Sequence, residues 1–210
     1  MRYGDASEFD QSAVRLALVA DRALGAWTLS IGPTLARSTL DGDGFESLIG
    51  ADVRFQRPFS ERMAFDARVI YDDAGAADER FAYIEGSRRQ LRLAVSYAGS
   101  ARLRAAYELE RNERADPGVS ASRQRWSLSY QRRLFGAWSA DTLWAHRTSR
   151  YRDASVPREE KLTAVTIAGR RQLRSDWTFS AEYRWSHNDS NVEAFSYDGR
   201  RFAVGLARGF

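Results

Sequence analysis

Residues 177–185 read Trp177-Thr178-Phe179-Ser180-Ala181-Glu182-Tyr183-Arg184-Trp185. The odd positions are aromatic or apolar and the even ones are polar or charged. In an extended chain successive side chains point to opposite sides, so this alternation is the signature of a strand with one apolar and one polar face. The same period-two pattern recurs outward from this stretch. Leu91, Leu93, Val95 and Tyr97 alternate with Arg92, Ala94 and Ser96, and Leu103, Ala105, Tyr107 and Leu109 with Arg102, Arg104, Ala106 and Glu108. Met63, Phe65, Ala67, Val69 and Tyr71 are interleaved with Ala64, Asp66, Arg68 and Ile70. Trp126, Leu128 and Tyr130 face away from Arg125, Ser127 and Ser129, and Ile49, Ala51, Val53 and Phe55 from Gly50, Asp52 and Arg54. Less regular segments near 12–23, 26–36, 137–148, 160–172 and 202–210 bring the expectation to about eleven strands.

The connectors alternate in length. Short ones fall at Leu24–Ala26, Pro58–Arg62, Ala98–Ala101, Phe135–Ala137 and Leu173–Asp176. Long polar ones are expected at Ser38–Phe45, Asp72–Phe81, Asn112–Arg123, Ser149–Lys161 and His187–Gly199. Short turns at one end and long loops at the other are the layout of an outer-membrane barrel. Several strands run for about ten residues, the length that crosses a bilayer when tilted, whereas soluble strands average about five or six. Aromatic residues sort into two belts, the arrangement expected of interfacial rings. Trp27, Tyr97, Trp138, Trp177 and Phe210 fall near the short turns, and Tyr71, Tyr107, Trp126, Trp144 and Trp185 fall nearer the loops. A soluble β-sandwich also alternates, but it has no reason to keep connector lengths in rotation. A propeller would repeat every ~40 residues, and no such repeat is present. The predicted fold is therefore all-β: a transmembrane antiparallel up-and-down β-barrel in the outer membrane, in contact with its lipids.

Composition agrees. Of 210 residues, 29 % are charged, and no stretch reaches the roughly 18 apolar residues of a transmembrane helix. A barrel escapes that test because only alternate residues meet lipid. Cysteine is absent, which removes disulfides, thiolate metal sites and thiol nucleophiles. The net charge of +4 arises from interspersed charges of both signs, without a basic arm or finger spacing; nucleic acid is not an expected partner. Met1 is followed by Arg2-Tyr3-Gly4-Asp5 rather than an apolar signal segment. An exported barrel needs such a segment, so residues 1–210 are expected to be a barrel domain lacking upstream strands. Strand parity leads the same way. Single-chain bacterial barrels have even strand numbers with both ends in the periplasm. Counting eleven strands back from a periplasmic Phe210 puts Met1–Asp10 outside, so a barrel of twelve or fourteen strands is expected.

The chain ends on Phe210 after an amphipathic segment containing Val204, Gly205 and Leu206. This end resembles the signal read by the barrel-assembly machinery, carried by Gly205, Leu206 and Phe210. It departs from that signal at Arg208, where an apolar residue is usual. Residues 189–210, with the pattern SN…FSYDGRRFAVGL…F, resemble the end of the barrel in surface lipoprotein assembly modifiers. Those proteins join a periplasmic tetratricopeptide-repeat domain to a fourteen-stranded barrel. The resemblance implies help in moving a lipoprotein client to the cell surface. It covers about the last 25 residues, and no repeat domain is present in this sequence.

The polar face supplies the candidate site. Arg54, Arg68, Arg92, Arg104, Arg125 and Arg184 are predicted to point into the lumen, with Asp52, Asp66, Glu108 and Glu182 among them. Such residues can line an anion-selective pore or hold a polar client; the plainer expectation is that they pair across neighbouring strands and fill the interior. Catalytic chemistry is not expected. His187-Asn188-Asp189-Ser190 faintly resembles the His and Ser of barrel hydrolases, but adjacency in a loop does not make a nucleophile–base pair. Two histidines without cysteine are too few for a metal centre. Gly42-Asp43-Gly44 precedes no helix and is no nucleotide loop. Asp41, Asp43 and Glu46 are Ca²⁺-compatible in type but read more simply as a polar loop. Neither cofactor nor metal is expected. The functional alternatives are an assembly or export barrel, a diffusion pore for small solutes, and a lipid hydrolase.

Overall fold

The computed structural model describes residues 11–40, 43–152, 154–174 and 177–208. They form one antiparallel sheet: β1 (Gln11–Ala17), β2 (Ala20–Leu24), β3 (Trp27–Leu40), β4 (Asp43–Pro58), β5 (Met63–Ala76), β6 (Gly86–Ala98), β7 (Ala101–Arg114), β8 (Ala121–Arg133), β9 (Trp138–Tyr151), β10 (Arg158–Arg174), β11 (Trp177–Ser190) and β12 (Tyr197–Arg208). From β3 onward each strand pairs with the next in sequence, the up-and-down order of a barrel wall. β1 and β2 both pair with β3, Ala17 opposite Thr34 and Ala20 opposite Ile31, with Leu18 and Val19 between them. They are one interrupted strand, so the sheet makes eleven spans, the number that the periodicity predicts. At the interruption the chain presses on β3: a Cβ at Gly32 would collide with the Leu18 carbonyl. The sheet is open. Among the described residues, the free edges of β1/β2 and of β12 pair with no other strand.

Register carries the alternation of each strand across the whole sheet, because a residue and its cross-strand partner share a face. Trp185, Val165, Trp144, Leu128 and Ala105 lie in one row, and Asp52, Ile70, Gln90 and Glu110 lie in a row of the opposite face. The first face is apolar and open to the surroundings, with Ile31, Ile49, Val69, Trp126, Leu128, Tyr183, Val204 and Leu206 all exposed. The second is concave. Arg114 on β7 reaches Glu46 on β4 at 3.5 Å, although three strand spacings span about 14 Å on a flat sheet. The two aromatic belts occupy the apolar face. Near the turns Trp27 meets Phe65 edge-on at 6.2 Å and Trp138 meets Phe179 at 6.4 Å; nearer the loops Tyr107 and Trp126 lie 4.2 Å apart. Phe210 and Met1–Asp10 lie outside the described residues.

At the turn end, Gly25-Ala26 forms a two-residue hairpin between Leu24 and Trp27, with Gly25 at φ 63. That positive φ matches the twist of the flanking strands and costs glycine little. Gly136, at φ 62, plays the same part between β8 and β9. The loop end differs from expectation. Strands continue through much of what the sequence pattern assigns to loops: β3 runs to Leu40 and β4 starts at Asp43, inside the predicted Ser38–Phe45 connector. Beyond the lipid band a strand no longer needs an apolar face, so alternation fades while the hydrogen-bond ladder persists.

On the concave side near the loop end, Asp72 is 2 % exposed and packs over Gly50 and Thr34. A Cβ at Gly50 would collide with the Asp72 carboxylate and lie 2.9 Å from Thr34 Oγ1. Gly50→Val should therefore lower stability by about 1–3 kcal/mol through overpacking. Ala51→Val, one residue on and facing outward, should leave stability unchanged. The urea midpoint, read as loss of the faster-migrating unboiled band on a gel, distinguishes the two.

Candidate functional site: an arginine row on the concave face

One row of the concave face crosses six strands. Arg54 of β4 stands opposite Arg68 of β5, Arg68 opposite Arg92 of β6, Arg92 opposite Glu108 of β7, Glu108 opposite Arg125 of β8, and Arg125 opposite Arg147 of β9. Directly opposed residues have their Cβ atoms about 5 Å apart, and like charges so placed repel. How that repulsion is offset differs along the row.

On β4 and β5 the protein offsets it internally. Asp66 accepts from Arg54 Nε and, across β6, from Arg104 at 3.0 Å. Arg68 Nε reaches both oxygens of Asp52 at 2.9 Å. Nearer the loops Arg88 donates to Asp72 at 3.0 Å, and Arg123 pairs with Glu110. Asp66 and Asp72 are nearly buried, while their arginine partners remain about a third exposed. On β6–β9 the offset is smaller: the one carboxylate in the row is Glu108, against three arginines. Arg92, Arg125 and Arg147 have no carboxylate within 4 Å among the described residues, and the Nε atoms of Arg92 and Arg147 are buried without a hydrogen-bond partner in the protein. Glu108 stands in register between Arg92 and Arg125 yet forms an ion pair with neither.

Of the residues singled out in the sequence, Arg54, Arg68, Arg104, Asp52 and Asp66 are thus brought into one cluster, with Arg92, Glu108 and Arg125 continuing the row beside it. Arg184 and Glu182 share the concave face but sit apart on β11, Arg184 opposite Arg201. Sequence reasoning missed Arg147 and Arg201. Parity from Trp144 and from Val204 places both on the polar face, but their segments carry too few apolar residues for the alternation to stand out.

The other candidates resolve into separate partners. Asp43 pairs with Arg80 at 2.9 Å and Glu46 with Arg114 at 3.5 Å, so the acidic residues of the predicted β3–β4 loop are drawn to different guanidiniums; Asp41 lies outside the described residues. Arg80 also binds Asp78, and its side chain and backbone N–H hold that carboxyl below its ordinary range. The same contacts push the Arg80 guanidinium up. His187 meets Asp198 at 2.9 Å on the outward face, whereas the Ser190 hydroxyl accepts from the Val192 N–H; the two are not brought together. In the end motif, Asn188 donates to the Phe195 carbonyl at 2.7 Å and Asn191 to the Pro157 carbonyl at 3.0 Å, joining the β11–β12 loop to the β9–β10 loop. Gly205 lies opposite Ser180, Leu206 points outward, and the Arg208 guanidinium stacks over Trp177 at 5.8 Å.

No family model matches the sequence, and comparison with curated proteins gives no match. Solved structures do match. OmpTΔL8, a loop-deletion mutant of an outer membrane protein of Vibrio cholerae, superposes with a TM-score of 0.64 at 13 % identity over 99 % of this chain and 66 % of its own. The siderophore receptor PirA from Pseudomonas aeruginosa gives 0.55 at 13 % identity over 98 % of this chain and 40 % of its own. The chain therefore spans less than two thirds of either. It has the fold of outer-membrane β-barrels, and its exposed apolar face suits a bilayer.

Asp66 is the acceptor shared by two arginines. Asp66→Ala should cost about 1–3 kcal/mol, the penalty of leaving polar partners unsatisfied. Glu108→Gln, which breaks no ion pair, should cost less than half as much. Urea unfolding of the detergent-refolded chain measures both.

Proposed function

We propose that this chain forms the wall of an outer-membrane passage whose interior favours anions. The observation that supports this reading is the arginine-rich half of the row. Arg92, Arg125 and Arg147 present three positive charges to the concave side, where Glu108 is the one carboxylate in their row and, among the described residues, none of the three forms an ion pair. Rings or rows of fixed positive charge lower the barrier for anions and raise it for cations. The low-dielectric wall strengthens the effect, since the field is focused into the aqueous path. The residues act by position and charge alone: none needs to exchange a proton or form a bond, and arginine holds its charge at any physiological pH.

A finer reading makes the cargo a lipoprotein segment and the assembly route the barrel-assembly machinery. It is supported by the end motif around Asn188–Phe210, and its test is surface exposure of a lipoprotein in cells with and without the gene. An enzymatic role draws no support from the separated positions of His187 and Ser190.

Planar-bilayer recording under a KCl gradient tests the passage. The refolded protein should conduct with a reversal potential on the anion side. The combined Arg92→Gln, Arg125→Gln and Arg147→Gln variant should lose at least half of that selectivity, whereas Arg54→Gln, whose charge is already offset by Asp66, should change it little. A protein that inserts but does not conduct, or a triple variant with unchanged selectivity, would overturn the reading.

A further inference from the structure

A second basic row lies on the opposite, outward face. Tyr71 stands opposite Arg89, Arg89 opposite Arg111, Arg111 opposite Ser122, and Ser122 opposite Arg150. Three guanidiniums thus project from β6, β7 and β9 into the lipid-facing surroundings at the loop end. Two residues closer to the turns, in the same columns, lie Val69, Leu91 and Leu109, all exposed and apolar. Val69, Leu91 and Leu109 line a shallow depression of about 380 Å³ together with Arg89 and Arg111. An adjoining one of about 310 Å³ shares Arg111 and continues past Ser122 to Arg150. Acyl-sized apolar surface below and cationic surface above is the outline of a single amphiphile.

These arginines differ in state from three outward-facing ones at the turn end. At the turn end, Arg57 lies over Trp27 at 5.3 Å, Arg171 over Trp138 at 5.4 Å, and Arg208 over Trp177 at 5.8 Å; each already has an aromatic face beneath it. At the loop end none of the three lies over a ring among the described residues. Arg89 is exposed and forms no ion pair among the described residues. Arg111 and Arg150 pair with Glu113 at 2.6 Å and Glu159 at 3.0 Å, with all four side chains substantially exposed. Such pairs contribute little and are readily exchanged for a stronger acceptor. A phosphate offers three oxygens to planar guanidinium forks and satisfies them better than a single carboxylate can.

We propose that Arg89, Arg111 and Arg150 bind the phosphate of an outer-leaflet lipid headgroup, with its chains lying along Val69, Leu91 and Leu109. The site rests on the outward face alone, so a barrel without anion selectivity would leave it standing. The probe is phosphatidic acid titrated into the detergent-refolded chain, with phosphatidylcholine and inorganic phosphate as comparisons and retained ligand read by native mass spectrometry. Phosphatidic acid should bind at least tenfold more tightly than phosphatidylcholine, and Arg89→Gln/Arg111→Gln should lower its retention at least tenfold. Arg57→Gln at the turn end should leave retention unchanged. If the double variant fails to show the faster unboiled band, Arg89→Gln alone, which breaks no ion pair, should still lower retention severalfold. Equal retention by a folded variant would overturn the assignment, and inorganic phosphate binding as tightly as phosphatidic acid would overturn the lipid as its source.

Discussion

In a bilayer no water reaches the hydrocarbon to satisfy a backbone N–H or C=O, so every peptide group of a spanning strand must bond to a neighbouring strand. Everything else in this sheet follows from that pairing. Because the ladder is continuous from β3 to β12, register propagates from strand to strand, and one residue's parity determines the parity of its whole row. Trp185 facing lipid commits Val165 and Trp144 to lipid. Arg68 facing inward commits Arg54 and Arg92 to the same side. A slip of one residue anywhere would place arginines in hydrocarbon and rings in the interior, which makes the register steep in energy. The constraint extends to the two free edges, whose backbone groups a bilayer would likewise force into pairs.

The fold was legible for the same reason that it is stable. Alternation over 177–185 and its echoes records which face meets lipid, and glycines at positions such as Gly25 and Gly136 mark the tight turns. Legibility ended where lipid ended. Loop-side strand ends such as Ser38–Leu40 and Ala74–Ala76 still pair, the first across a register shift at Ser38–Thr39, but outside the lipid band they need no apolar face and so do not alternate. The sequence pattern therefore placed them in loops. The interruption at Leu18–Val19 was equally invisible, because it depends on Leu18 crowding Gly32, a contact between strands rather than a pattern within one.

The candidate site was half legible. Parity identified which arginines share the polar face, but only register shows that Arg54, Arg68, Arg92, Arg125 and Arg147 fall in a single row. No spacing within the sequence encodes that alignment, since it is set by the offsets of five successive hairpins. Nor could the sequence show which charges are offset. Asp52 and Asp66 lie one row to either side of Arg68 and Arg54 and reach them diagonally. The carboxylates diagonal to Arg92 and Arg147 are Asp66, Glu110 and Glu160, and each is already engaged, by Arg54 and Arg104, by Arg123 and by Arg158.

That difference divides one row into charges paired within the protein and charges left largely to their surroundings. An interior arginine needs a counter-charge, because an isolated guanidinium in a low-dielectric wall is expensive. Where the protein supplies it, as at Asp66 between Arg54 and Arg104, the arginines tie strands together and their field is largely cancelled. Where the protein withholds it, the charge stays affordable only if mobile anions and water can reach it. A sealed, side-chain-filled interior would leave Arg92, Arg125 and Arg147 desolvated with one carboxylate, Glu108, in register among them. The proposed passage is consistent with that requirement: solvent and anions on the concave side would supply what Glu108 alone does not.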